Sequence, residues 1–126
     1  MSPTTSNSLK ILVVEDEFLI AEEMTAVLED AGHEVIGPAG TVRGAEEMLG
    51  DAGKPDVAVI DANLRGETSA SLASELRERG IPFCVCTGYR IDDLKALFGD
   101  IVTLQKPIDP VRLLQTVTRL ARNEGG

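Results

Sequence analysis

Val57-Ala58-Val59-Ile60-Asp61 is the stretch that decides how this chain folds. A short apolar run, β-branched at three of its four positions, reads as a strand buried on both faces. Strands of that kind belong to parallel sheets, and open α/β sheets do their chemistry just outside the strands' carboxyl ends. Asp61 stands at such an end. Upstream, Ile11-Leu12-Val13-Val14 is closed by Glu15-Asp16 in the same way. Downstream, a run from Ile81 to Cys86 is closed by Thr87, and one from Ile101 to Gln105 by Lys106. Strand ends carrying acids, a hydroxyl and an amine suit a phosphate and a hard metal ion.

The segments between these runs have helical spacing. The pattern predicts strands over 10–14, 33–36, 56–60, 81–86 and 101–105, with Gly37-Pro38 ending the second. Helices are expected over 17–31, 41–49 with Thr41 as cap and Gly50 as stop, 69–79, 91–98 and 110–122. A strand and a helix alternating five times argue for a parallel sheet with helices on both faces. Right-handed crossovers leave the flavodoxin-like, doubly wound (βα)5 arrangement with strand order 2-1-3-4-5 as the compact solution. In that order Glu15, Asp16 and Asp61 converge in one crevice, and Thr87 and Lys106 form its other wall. One domain is expected over 9–122, after a polar tail at 1–8 and before a frayed end at 123–126.

Composition narrows the function. Hydrophobic content of 43% and charged content of 26% suit one globular domain. A formal net charge of −9 opposes nucleic-acid binding and offers no basic face to an anionic membrane. No run approaches a bilayer span and no hydrophobic signal core opens the chain, so a cytoplasmic location is expected. Cys84 and Cys86, two apart on one strand, share a face and are expected to be small core residues rather than a disulfide. His33 opens the second strand, away from the crevice, and is expected to be structural or superficial.

Three carboxylates in one crevice repel one another by roughly 3 kcal/mol per pair, taking about 5 Å and an effective dielectric of about 20. They must protonate, separate or hold a cation. A hard divalent cation suits an all-oxygen site. One carboxylate can then act as nucleophile towards a phosphoryl donor, with a lysine and a hydroxyl receiving the charge on the transferred group.

Four motifs carry a resemblance: Ile-Leu-Val-Val-Glu-Asp-Glu at 11–17, Val-Ala-Val-Ile-Asp-Ala-Asn-Leu at 57–64, Cys-Thr-Gly-Tyr at 86–89 and Gln-Lys-Pro at 105–107. Together the chain resembles a response-regulator receiver domain of two-component signalling, of the stand-alone type, over about 9–120. The resemblance implies a signalling domain rather than an enzyme, one that assists its own phosphorylation and dephosphorylation. It implies Asp61 as phosphoacceptor, loaded by a sensor histidine kinase or a phosphotransfer protein. It also implies Mg²⁺ held by Asp16 and Asp61, by the backbone carbonyl of Asn63, and by Glu15 through water. Thr87 would bind a phosphoryl oxygen, Lys106 would pair with the phosphate, and the Lys106-Pro107 bond would be cis.

The chain departs from the family in two places. Many members have proline where Arg65 follows Leu64. Most have an aromatic residue three positions before the lysine, where Thr103 stands. Val85-Cys86-Thr87-Gly88-Tyr89 resembles the Phe-Ala-Thr-Gly-x-Tyr motif of a subgroup of single-domain receivers, with Val85 and Cys86 replacing Phe and Ala, and Tyr89 is a candidate for the missing moving aromatic. The target is expected to bind the face made by the fourth helix, fifth strand and fifth helix, about 91–119. A phosphotransfer partner would dock near Phe18–Glu22. The chain could instead serve as a phosphate shuttle or sink in a phosphorelay, or be a receiver excised from a larger protein. A dehalogenase-type phosphatase would need Asp-x-Asp after its first strand. A flavin carrier would need a hydroxyl-rich loop there and several aromatic rings.

Overall fold

The computed structural model describes residues 8–51, 53–88 and 91–123. Tyr89, most of the N-terminal tail and residues 124–126 lie outside them. Five parallel strands form one sheet: β1 Lys10–Val14, β2 Glu34–Ala39, β3 Val57–Asp61, β4 Phe83–Thr87 and β5 Val102–Gln105, in the order β2-β1-β3-β4-β5. Helices α1 Phe18–Asp30, α2 Val42–Asp51, α3 Ala70–Glu78, α4 Ile91–Phe98 and α5 Pro110–Asn123 follow the five strands in turn. This is the expected flavodoxin-like architecture.

Alternation along the strands divides the core in two. Ile11, Val13, Val57, Val59, Cys84 and Cys86 face one way and pack with Met24 and Leu28 of α1 and Leu113 and Val117 of α5. Leu12, Val14, Ala58, Ile60 and Val85 face the other way, against Val42, Ala45, Leu72, Leu76, Leu94 and Phe98. Every residue of β3 and of β4 is buried, which explains their unbroken apolar character. Both cysteines are free and buried, and burial pushes the Cys84 thiol up to about 12. Among the described residues no helix is long and apolar enough to cross a membrane.

The boundaries differ from expectation in instructive ways. β2 does not end at Gly37-Pro38. It continues to Ala39 through an irregularity that moves its pairing with β1 from Leu12↔Ile36 to Val14↔Ala39. Gly37 makes this possible: its φ is +100°, and a Cβ there would lie 2.8 Å from Ala39 N and 2.9 Å from Val13 O. The Gly37-Pro38 bond is cis, as is the expected Lys106-Pro107 bond. β4 starts at Phe83, because the Ile81 amide turns back to the Leu76 carbonyl at 2.9 Å and Pro82 has no N–H to pair. α2 passes through Gly50 to Asp51, while Thr41 caps it as expected, its hydroxyl accepting from Gly44 N at 2.9 Å. The loop after β3 is folded as a small antiparallel pair, Asn63↔Thr68 and Leu64↔Glu67.

Candidate functional site

The carboxyl ends of β1, β3, β4 and β5 meet, and backbone hydrogen bonds hold the residues just past them. Glu15 N donates to Ala39 O at 2.8 Å, Ala62 N to Cys86 O at 2.9 Å, and Lys106 N to Thr87 O at 2.8 Å. The chain beyond β1, β3 and β5 is therefore tied to a neighbouring strand, so side chains on these three segments have a fixed starting point. Asp61 is the last residue of β3, opposite Cys86, and is buried. Thr87 closes β4 and is also buried.

At the centre is an acid–amine cluster. Lys106 Nζ donates to Asp61 Oδ2 at 2.8 Å. It lies 3.0 Å from Glu15 Oε1, an ion pair whose angles fall short of a hydrogen bond, and 3.8 Å from Glu17 Oε1. Asp61 Oδ1 accepts from Asn63 N at 3.1 Å. Glu15 Oε2 accepts from Glu17 N at 2.9 Å. Asp16 is half-exposed, and its Oδ2 accepts from the Arg65 amide at 3.0 Å. One carboxylate oxygen from each of Glu15, Asp16 and Asp61 lies within 4.8 Å of the others.

The electrostatics follow from this crowding. Burial is the main force that raises the Glu15 carboxyl to about 7, with the charge of Asp61 adding to it and the Glu17 amide and Lys106 opposing it. Lys106 moves the other way from a buried amine in isolation. Desolvation alone would lower it, but the contacts with Asp61 and Glu15, and the negative charge of both, outweigh that cost and hold the ammonium. The buried Glu15 Oε1 has the Lys106 ammonium as an ion-pair partner but no contact with hydrogen-bond geometry. All-oxygen donors, three of them from carboxyl groups, fit a hard divalent cation such as Mg²⁺.

All five side chains anticipated from sequence lie at these neighbouring strand ends, and Asn63 joins them through its amide. Three contributors were not anticipated. Glu17 supplies both an amide to Glu15 and a weak, exposed ion pair to Lys106. Ser69 is fully buried, and its hydroxyl donates to the Asp61 carbonyl at 2.6 Å and lies 3.3 Å from the Ala62 carbonyl. Its position before a helix looks like a cap, but its side chain makes no capping bond. Arg65 enters through its backbone, which side-chain type cannot signal. Thr103 is half-buried in β5, and His33 lies away from the cluster with Nδ1 accepting from Leu9 N at 3.1 Å.

Apolar side chains are exposed in two places. A groove of about 540 Å³ between α1 and α5 begins at Lys106 and Pro107 and runs along Ile20, Met24, Val27 and Leu113. At the start of α1, Phe18 and Leu19 are 71% and 75% exposed. Leu97, Val102 and Val111, one each from α4, β5 and α5, are also exposed.

Residues 11–118 match the model of the response regulator receiver domain. The chain is 31% identical over 115 residues to the sensory transduction protein LytT of Bacillus subtilis (strain 168), an alignment covering 88% of this chain and 47% of LytT. It is 33% identical over 86 residues to the transcriptional regulatory protein PdtaR of Mycobacterium tuberculosis, covering 68% of this chain and 42% of PdtaR. The chain thus spans about half the length of the curated relatives it matches. Among solved structures, a response regulator from Chloroflexus aurantiacus superposes with TM-score 0.81 at 26% identity, over 92% of this chain and 99% of that one. The response regulator PhyR from Brucella abortus superposes with TM-score 0.78 at 25% identity, over 94% of this chain and 49% of PhyR.

Proposed function

The chain belongs to the response-regulator receiver family, a family of signalling domains, and from that premise we propose that it is a phosphorylation-dependent switch with Asp61 as phosphoacceptor. One observation carries the reading: Asp61 is buried at a strand end with Lys106 Nζ on one oxygen and the Asn63 amide on the other. Those two donors fix the carboxylate for attack. In the transfer an Asp61 oxygen forms a bond to phosphorus as the bond to the donor's imidazole nitrogen breaks, and that bond's electron pair stays with the imidazole. Lys106 remains beside the group it receives, and Thr87 donates to a phosphoryl oxygen.

Mg²⁺ would be held by Asp16, Asp61 and the Asn63 backbone carbonyl, with Glu15 reaching it through water. When bound, it supplies neutralisation of charge on the phosphoryl oxygens. The carboxylate oxygens of Glu15, Asp16 and Asp61, within 4.8 Å of one another, support a cation site.

The phosphoryl donor is a sensor histidine kinase or phosphotransfer protein. The exposed Phe18 and Leu19 beside the α1–α5 groove supply an apolar docking surface next to Lys106. Output passes to a protein target through α4, β5 and α5, where Leu97, Val102 and Val111 are exposed. The same exchange run in reverse would make the chain a shuttle or sink in a phosphorelay. The net charge of −9 supports protein rather than nucleic-acid or membrane partners.

The test is incubation with Mg²⁺ and acetyl phosphate, read by intact mass. One added phosphoryl group is expected on the wild type, none after EDTA, and none on Asp61→Ala. An adduct that persists in Asp61→Ala, or no adduct on the wild type with any small donor, would overturn the reading.

A further inference from the structure

The loop after β3 makes a contact with the acidic cluster that depends on the backbone alone. Arg65 and Gly66 form the tip of the Asn63–Leu64/Glu67–Thr68 pair, and both have positive φ, 55° and 86°. That is the geometry of a tight hairpin turn, in which a non-glycine first residue is strained. The turn is tied at its base, where Gly66 N donates to Asn63 Oδ1 at 2.8 Å, and at its end, where Ser69 N donates to Ala62 O at 3.0 Å. Its result is to aim the Arg65 N–H at Asp16 Oδ2, 3.0 Å away across a separation of 49 residues. The Arg65 side chain is exposed. A proline here, as many members of the family have, could not donate this bond.

We propose that the Arg65-Gly66 turn is a positioning device for Asp16: the amide holds one carboxylate oxygen and leaves its partner oxygen for the divalent cation. The inference rests on the metal-dependent switch proposed above. A carboxylate at the cluster's half-exposed rim can rotate freely, and a ligand that must first be ordered binds more weakly. An N–H on one oxygen orders the carboxylate in advance, as hydrogen-bonded outer partners do for metal ligands generally. The strained turn is therefore retained for its amide, and the arginine side chain is incidental to the effect. The same contact links the metal site to the conformation of the hairpin, so cation occupancy and hairpin order rise together.

The test uses Mg²⁺ titration by calorimetry on the wild type, Arg65→Gly and Arg65→Pro. Glycine keeps the N–H and suits the positive φ; proline removes the N–H and, with φ fixed at about −65°, the turn that aims it. Arg65→Gly is expected to bind within about twofold of the wild type, and Arg65→Pro about tenfold more weakly. Equal affinity in all three, or a loss in Arg65→Gly as large as in Arg65→Pro, would overturn the proposal. Should Arg65→Pro fail to fold by circular dichroism, amide hydrogen exchange on the wild type decides the matter. The Arg65 amide is expected to gain protection with Mg²⁺, and loss of protection on binding would overturn the idea. A wild type that binds no Mg²⁺ would sink the switch reading itself, and this inference with it.

Discussion

Glu15 and Lys106 set the chemistry of the site at the level of single residues: burial holds the proton on Glu15 against the pull of Lys106, while Asp61 and Glu15 hold the ammonium of Lys106. Glu15 has a folded pKa of about 7 against an ordinary 4.5. A carboxyl raised on folding holds its proton more tightly in the native state. Its contribution to stability is therefore complete below pH 4.5 and is lost as pH rises through about 7. The metal-free protein is expected to lose melting temperature across that window, and Mg²⁺ to restore it; a metal-free profile unchanged by Glu15→Gln would contradict this. Lys106→Met removes the only cation within ion-pair distance of Asp61 among the described residues. With Lys106 partly exposed, the cost is expected at about 1–3 kcal/mol, measured by urea denaturation without metal, and smaller at pH 5 where Glu15 is neutral. The side chains of the cluster were legible in sequence because each ends an apolar run. Ser69 and Arg65 were not: one acts on the Asp61 carbonyl and the other through its own amide, and neither role depends on a recognisable pattern of residue types.

The elements that carry the site depend on how β1 and β2 meet. Glu15 is anchored to Ala39, so the irregular end of β2 fixes one side of the crevice. Gly37→Ala would force a Cβ against two backbone atoms at positive φ, and is expected to cost about 2 kcal/mol or more in urea. A neutral result would mean that the β2 bulge can relax without moving Glu15. At the opposite end of the same strand pair, His33 Nδ1 accepts from Leu9 N, and burial lowers its pKa from 6.5. A histidine kept neutral on folding stabilises above pH 6.5, and that contribution is lost as pH falls. The stability gap between wild type and His33→Ala is expected near 1 kcal/mol at pH 8 and smaller at pH 5. A gap that widens on acidification would contradict the assignment. The sequence shows a strand here but ends it at Gly37-Pro38, since glycine and proline normally terminate pairing. Only the tertiary contact of Glu15 with Ala39 reveals why pairing resumes.

For the whole molecule, fold and crevice were readable because five apolar runs, each followed by a helical pattern, leave one compact topology. Surfaces were less readable: nothing in the spacing of Phe18 and Leu19 says that they stay exposed while Ile20 turns to the α1–α5 groove. If those two residues serve a phosphodonor protein, Phe18→Ser with Leu19→Ser should leave stability within about 0.5 kcal/mol. It should also leave acetyl phosphate labelling intact while slowing phosphotransfer from a cognate histidine donor. Equal slowing with both donors would place the effect in the crevice instead. The central claim, that Asp61 is the residue that carries the phosphoryl group, is tested most directly by reductive trapping. Protein phosphorylated with acetyl phosphate and Mg²⁺ is treated with borohydride, which converts an acyl phosphate to an alcohol, and its peptides are mapped by mass spectrometry. Homoserine is expected at position 61, with unmodified carboxylates at Glu15 and Asp16; reduction at either of those, with Asp61 intact, would contradict the assignment of Asp61.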